Sequence, residues 1–505
     1  MRQLLLSVLA VTLMGGAAVA QTAPQTTLRI ALREDPDALD PTLARTYVSR
    51  IVFAGLCDKL FDINEKLETV PQLALSYAWA TPTELVIKLR PGVLFHDGET
   101  MDAAAVKYSL ERHLTMQGSF RRSEISAMDH VDVVDPLTVK IVLKAPSSPF
   151  LAQLTDRAGM IVSPKAAEAE GKDFGLKPVC AGPFRFVERV PQDRIVLERF
   201  PQYWNAGAIH LDRVTYQPIP DSSVRLANLQ AGGIDLSEYI VPTDVEAVQK
   251  NPRLKMAMGD SLGYQTIAFN VANGPRAKAP IGADARVRRA LQLSIDKEAL
   301  VQVVYNGLYA TTSQAVSPSS PFYDPALKPQ PRDVAKAKAL LKEAGVTLPV
   351  LVQLTVPNNP DLRQAGEIIQ SMAAEAGFDV KLTAAEYASA LNASSRGEFE
   401  AFLTAWSGRV DPDGNLFSFL HSGGALNDGK YSNPDADALL QKARDVADVA
   451  ARRAIYADFW TIEARDLPIM YLWQQKNLVG MSAKVSGFVQ VPDGMIRLQG
   501  VTLAK

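Results

Sequence analysis

Apolar residues recur along this chain with two different periods, and the change from one to the other divides it. Near the start, Leu28, Ile30 and Leu32 alternate with other residues, which predicts a strand over 26–32 that Asp35-Pro36 breaks. The segments 85–89 and 137–143 read as further strands, and 184–190 with 195–200, around Pro191-Gln192-Asp193, as a hairpin. Between them a helix is expected over 102–113, capped by Asp102, with Val106, Leu110 and His113 on one side. The second half changes to helical spacing. Val334, Ala337, Leu340, Leu341 and Ala344 follow Asp333 and stop at Gly345, where a left-handed C-cap favours glycine, and a strand is expected over 348–356. The plan repeats with a helix over 361–376, a stop at Gly377 and a strand over 378–383. Helix then strand, twice, predicts α/β layering with two adjacent βα-type units. No Ser/Gly-rich linker separates the halves, so lobes joined by short crossings are expected, not beads on a string.

The first twenty residues change the picture of where this fold works. Arg2 gives a positive start, 4–14 is apolar apart from Ser7 and Thr12, and Ala18-Val19-Ala20 offers a small-x-small site, so a signal peptide cleaved after Ala20 is expected. The apolar run is shorter than the roughly 20 residues of a spanning helix. Gln21, not cysteine, follows the cleavage site, which argues against a lipid anchor and for a periplasmic location. With 505 residues the chain has room for several units, and 53 basic against 55 acidic residues with no basic stripe leave nucleic acid or an anionic membrane nothing to select. Two cysteines, Cys57 and Cys180, either pair in that oxidising compartment or stay as two small buried hydrophobes.

Candidate chemistries fail one by one. Asp411-Pro412-Asp413-Gly414-Asn415 starts like a calcium loop, but the position that needs the sharp-turn glycine holds Leu416 and the one that needs glutamate holds Ser422. The five histidines show no i, i+4 pair, so no metal site is expected. A stretch from Gly424 to Lys430 is like a phosphate loop, yet Tyr431 replaces the hydroxyl residue that holds magnesium, and Ser432-Asn433-Pro434 follows where a helix should begin. No G-x-S-x-G elbow is present and neither cysteine sits in a catalytic signature, so no catalytic residue and no cofactor is expected.

The stretch "PQLALSYAWATPTELVIKLRPGVLFHDGETMDAAAVKYSLERH" over 71–113 resembles the signature region of the family 5 solute-binding proteins of bacterial ABC importers, the peptide and nickel class. The likeness continues through "AGPFRFVERVPQDRIVLERFPQYW", "LDRVTYQPIPDSSVRLANLQAGGIDL", "DARVRRALQLSIDKEALVQVVYNGLY", "AKALLKEAG" and "YSNPDADALL", in order over most of the chain. The resemblance implies a two-lobed α/β periplasmic binding protein, a monomer that closes over a small-molecule or peptide ligand and hands it to permease subunits in the inner membrane. It implies a first lobe over 21–268 with an extra subdomain near 50–170, a second lobe over 269–474, and a return over 475–505, with crossings near 265–270 and 471–475.

The family's peptide binders carry a Trp-x-x-Asp loop whose aspartate takes the peptide α-ammonium and whose tryptophan forms a wall. Here Trp406-Ser407-Gly408 matches the pattern, but Arg409 stands in the aspartate's place, which reverses the charge. Arg409 then either faces a carboxylate or phosphate of the ligand, or pairs with Asp411 in a structural turn, and Asp411 or Asp413 is the candidate for an ammonium. Trp406 is either that wall or a core aromatic. By the same likeness Glu238, Tyr239 and Tyr264 are candidate ligand contacts. The rival readings are a binder of a metal chelate or sugar on this scaffold, and an exported peptide hydrolase or chaperone.

Overall fold

The computed structural model describes residues 26–504, so the signal-peptide stretch over 1–20 and the cleavage after Ala20 lie outside the described residues. The first strand is β1 (Thr27–Leu32), where the alternation put it, and Leu28, Ile30 and Leu32 are fully buried, each contributing about 1.5–3 kcal/mol by leaving water. Helix α1 (Tyr47–Leu56) follows, started by the Thr46 side chain accepting from the Ser49 amide. Next come β2 (Ala74–Thr81), β3 (Glu84–Leu89), α2 (Ala103–Thr115), β4 (Met128–Asp135) and β5 (Thr138–Leu143). These strands form a separate four-stranded antiparallel sheet in the order β2-β3-β5-β4, with α2 against it. Asp102 caps α2 as the sequence predicts, accepting from the Ala105 amide at 3.0 Å. This unit has its own apolar core, including Leu85, Ile87, Val106, Leu110, Val139 and Ile141, and falls within the stretch near 50–170 where an extra subdomain is expected.

The hairpin strands are β6 (Phe184–Val190) and β7 (Arg194–Arg199), followed by β8 (Arg213–Pro218) and the short β9 (Leu236–Ser237). A long strand, β10 (Leu254–Phe269), leads into the second lobe. There the βα unit appears as read: β11 (Val350–Pro357), α3 (Pro360–Ala374) and β12 (Phe378–Ala385), with β11 and β12 parallel and adjacent from Val350↔Phe378 to Pro357↔Ala385. Gly345 and Gly377 take φ of 67° and 103°, the left-handed region in which a side chain would be strained. Helix α4 (Tyr387–Ser395), strand β13 (Ala401–Trp406), helix α5 (Asp413–Leu420) and the long strand β14 (Ile469–Ser482) complete the parts that matter here.

Ten strands lie side by side in the order β12-β11-β13-β10-β14-β9-β1-β8-β7-β6, so one sheet path runs through both lobes. The central pair, β10 and β14, is antiparallel and spans the junction, and its register is irregular between Asp260 and Tyr264 and again between Gln265 and Thr266. One core, with Leu28, Phe53, Leu197 and Tyr216, lies under β1 and α1, and another, with Ile267, Leu354, Ile369 and Leu403, lies under the β11–β13 side. Cys57 and Cys180 are bonded to each other, with Cα atoms 4.9 Å apart, which settles the choice the sequence left open.

Candidate functional site

In open α/β sheets, ligands bind beyond the carboxyl ends of the strands, where chain crossings leave a crevice. Four strands of this sheet end at one such crevice: β1 leads into Arg33 and Glu34, β9 into Glu238 and Tyr239, β11 into Asn359, and β13 into Ser407. The resulting cavity lies between the lobes, with about 1010 Å³ of empty space when its open mouth is counted. Its walls include Tyr47, Tyr305, Tyr309, Tyr387, Trp406 and Trp473.

The charges in this cavity fall into two groups. Arg33 and Glu238 satisfy each other: Arg33 Nε donates to Glu238 Oε1 at 2.8 Å, Nη2 to Oε2 at 2.7 Å, and the Arg33 amide to Oε1 at 2.9 Å. The Arg33 guanidinium also lies 4.0 Å from the centre of the Tyr239 ring, and the Tyr239 hydroxyl donates to Asp361 Oδ2 at 3.1 Å. Glu34 is different. It makes no ion pair among the described residues, and burial pushes its carboxyl up to about 8 despite the opposing pull of Arg33. Lys476, exposed in the same cavity lining, also makes no ion pair among the described residues. Two half-buried carboxyls, Glu34 and the Tyr239-bonded Asp361, and one ammonium thus lack an ion-pair partner among the described residues, while the Arg33–Glu238 pair builds the wall.

The loop after β13 does not do what either reading of it expected. Gly408 turns at φ 72°, with the Leu262 carbonyl so close that a Cβ would meet it at 2.1 Å. Asn415 then clamps the loop: its Oδ1 accepts from Trp406 Nε1 at 3.0 Å and from the Arg409 amide at 2.7 Å, and its Nδ2 donates to the Arg409 carbonyl at 3.2 Å. This geometry holds Trp406 at the cavity and turns Arg409 away from it. Arg409 is buried, its guanidinium 4.3 Å from the centre of the Trp406 ring, and it pairs through Nε with Asp156 Oδ2 of the first lobe at 2.9 Å. Its partner is therefore neither ligand nor Asp411. Asp411 binds Arg452 by two bonds of 2.8 and 2.7 Å, and Asp413 binds Arg444 at 2.6 and 2.9 Å, so the loop's carboxylates are also taken by internal guanidinium groups. Arg50 and Arg157 join Arg409 around Asp156. Burial alone would raise Asp156, but these cations hold it well below the usual carboxylate range, and burial beside Arg50 brings Arg409 down to about 10.

Of the residues singled out from the sequence, Trp406, Glu238 and Tyr239 line the cavity, and Tyr264 lines an adjoining one. Arg409 and Asp411 line neither. Sequence reasoning passed over Arg33, Glu34, Asp361 and Lys476. A signal for two of them was present: the alternation of β1 stops at a charged run, Arg33-Glu34-Asp35, which is where a strand's carboxyl end meets a crevice.

Several contacts join the lobes across the cleft. Besides Arg409–Asp156, Arg45 binds Asp428 at 2.8 Å, Arg50 donates to Ser407 Oγ at 2.8 Å, and Gln153 donates to Asp413 Oδ2 at 3.0 Å. The lobes are closed on each other.

Residues 68–427 match the sequence profile of "Bacterial extracellular solute-binding proteins, family 5 Middle". The chain is 32% identical over 489 residues to a glutathione-binding protein GsiB from Pectobacterium atrosepticum, covering 94% of each, and 30% identical to GsiB of Salmonella typhimurium, covering 92% of each. Among solved structures it is similar to AgaA of A. tumefaciens in complex with agropinic acid (TM-score 0.87, 26% identity, 95% of this chain and 99% of that one). It is similar too to the ABC transporter-associated periplasmic binding protein DppA of Helicobacter pylori in complex with the peptide STSA (TM-score 0.86, 26% identity, 95% and 98%). With the two-lobed sheet, the interlobe cavity and the profile match over most of its length, the chain belongs to the family 5 extracellular solute-binding proteins, the substrate-binding components of ABC importers, which are not enzymes.

Proposed function

We propose that this protein captures a zwitterionic, peptide-like solute between its lobes in the periplasm and delivers it unchanged to the importer's permease. The observation that carries this reading is the pairing of an uncommitted Glu34 and an uncommitted Lys476 in one aromatic-walled cavity, while Arg33 and Glu238 neutralise each other. A free amine of the solute meets Glu34 and a carboxylate meets Lys476. The aromatic walls supply apolar area and faces for a cationic group. The glutathione named for the curated relatives and the peptide named for the DppA structure are both molecules with such ends.

Opening and closing then follow the lobes, 21–268 with 475–505 against 269–474. The bend belongs at the irregular register of β10 and β14, at 261–263 and again between Gln265 and Thr266, which overlaps the crossings expected at 265–270 and 471–475. A solute touching both lobes favours the closed form, and shifting a 1:99 mixture to 99:1 takes about 5.5 kcal/mol of differential affinity. Calorimetric titration with glutathione, other tripeptides and their N-acetylated forms tests the reading. Saturable one-to-one binding that N-acetylation weakens at least about tenfold is expected. Equal affinity for the acetylated forms removes the ammonium from the account.

A further inference from the structure

A second chamber adjoins the first at Trp406. With open mouths counted, the empty space is about 890 Å³ against about 1010 Å³, and the two linings share Arg45, Tyr387, Ala405 and Trp406. Their linings differ in kind. The first carries tyrosine hydroxyls and several charges. The second is faced by Leu391, Phe399, Phe402, Phe419, Leu426 and Ile469, over a floor of β10 residues Thr266 and Ala268. Its charged groups are engaged within the protein: Arg45 with Asp428, and Arg121 with Glu124.

Arg45 belongs to the first lobe and reaches across to the second, donating to the Leu391 carbonyl at 3.1 Å, to Ser395 Oγ at 2.5 Å and to Asp428 at 2.8 Å. Lobe closure therefore seals this rim. A compact zwitterion held by Glu34 and Lys476 would leave the apolar wall facing water. A solute with an apolar group beside its charged head would cover that wall.

We infer that the solute carries a bulky apolar or aromatic substituent that enters this second chamber, so that the substrate class is an amphipathic peptide-like molecule, such as a peptide with a thioether-linked alkyl or aryl group. The inference rests on the peptide-like reading of the first chamber. The probes are glutathione, S-hexylglutathione and the fluorescent apolar anion 1-anilinonaphthalene-8-sulfonate. The variants are Ala268→Phe, which fills the chamber from the sheet, and Leu391→Phe, which fills it from α4 and keeps the test open should the strand substitution fail to fold.

The wild-type chain is expected to bind S-hexylglutathione at least about tenfold more tightly than glutathione. Each filled variant should lose that advantage, keep its affinity for glutathione within about twofold, and lose the fluorescence enhancement of the probe. No preference for the hexyl derivative, or a preference that survives filling, overturns the inference and leaves the peptide reading standing. If the probe binds the wild type, is lost on filling, and yet no peptide displaces it, the apolar chamber is supported and the peptide reading fails.

Discussion

Glu34→Gln tests the electrostatics of the cleft most sharply. In the solute-free protein the Glu34 carboxyl titrates near 8, because burial outweighs the pull of Arg33. At pH 7 about one chain in eleven then holds it ionised, and an incoming ammonium must draw out the proton, at a cost of about 1.4 kcal/mol or tenfold in affinity. A peptide amine titrating near 8 is already about nine-tenths protonated at pH 7 and takes up about 0.1 proton on binding, so binding should release a net of about 0.8 proton per solute. Titration calorimetry in buffers of different ionisation enthalpy reads this number directly. The Glu34→Gln variant should release none and bind an amine-bearing peptide at least about tenfold more weakly at pH 9, where the wild-type carboxylate is largely charged. The same group has a sign in folding. Its folded value lies above the ordinary carboxylate value, so the folded state binds more protons between about 4.5 and 8, and stability falls as pH rises through that window. Glu34→Gln should flatten this fall in thermal melts. Zero net proton release by the wild type, or the same release by the variant, refutes the placement of the ammonium at Glu34.

Arg409→Ala removes a buried interlobe bridge, not a ligand contact, so the loss of about 1.5–3 kcal/mol for a charge-assisted bond should weaken binding of charged and uncharged solutes alike. A loss confined to anionic solutes, measured by calorimetry, would put its guanidinium in the cavity. Asp156→Asn leaves Arg50, Arg157 and Arg409 buried without their shared counter-charge and should cost about 3–5 kcal/mol in urea unfolding, where a change under about 1 kcal/mol would contradict the structure. Reduction of Cys57–Cys180, which closes a span of 123 residues, should lower stability by about 5 kcal/mol with little effect on solute affinity in the surviving folded fraction, checked by denaturation with and without reductant.

The regular elements were legible because each obeys a local rule. Asp102 caps α2, Gly345 ends the helix Val334–Ala344 at positive φ, and the alternation of Leu28, Ile30 and Leu32 makes β1. The site was legible only in part. Trp406 could be placed by its motif, but the direction of Arg409 depends on Asp156, half the chain away, and on the Gly408 turn packed under Leu262. Likewise, nothing near Asp411 in sequence announces that Arg452 will claim it. Ion pairs between distant segments decide which charges remain for a ligand, and the pairing follows from the fold. Glu34 illustrates the converse: it matters because no cation among the described residues pairs with it.

Whether the lobes carry an intact solute with a free amine and a carboxylate is read from mass spectrometry of the compound released when purified protein is denatured under mild conditions. One peptide-sized zwitterion per chain is expected, recovered at unchanged mass after incubation. A stoichiometric ligand without an amine, or recovery of cleavage products, would contradict it.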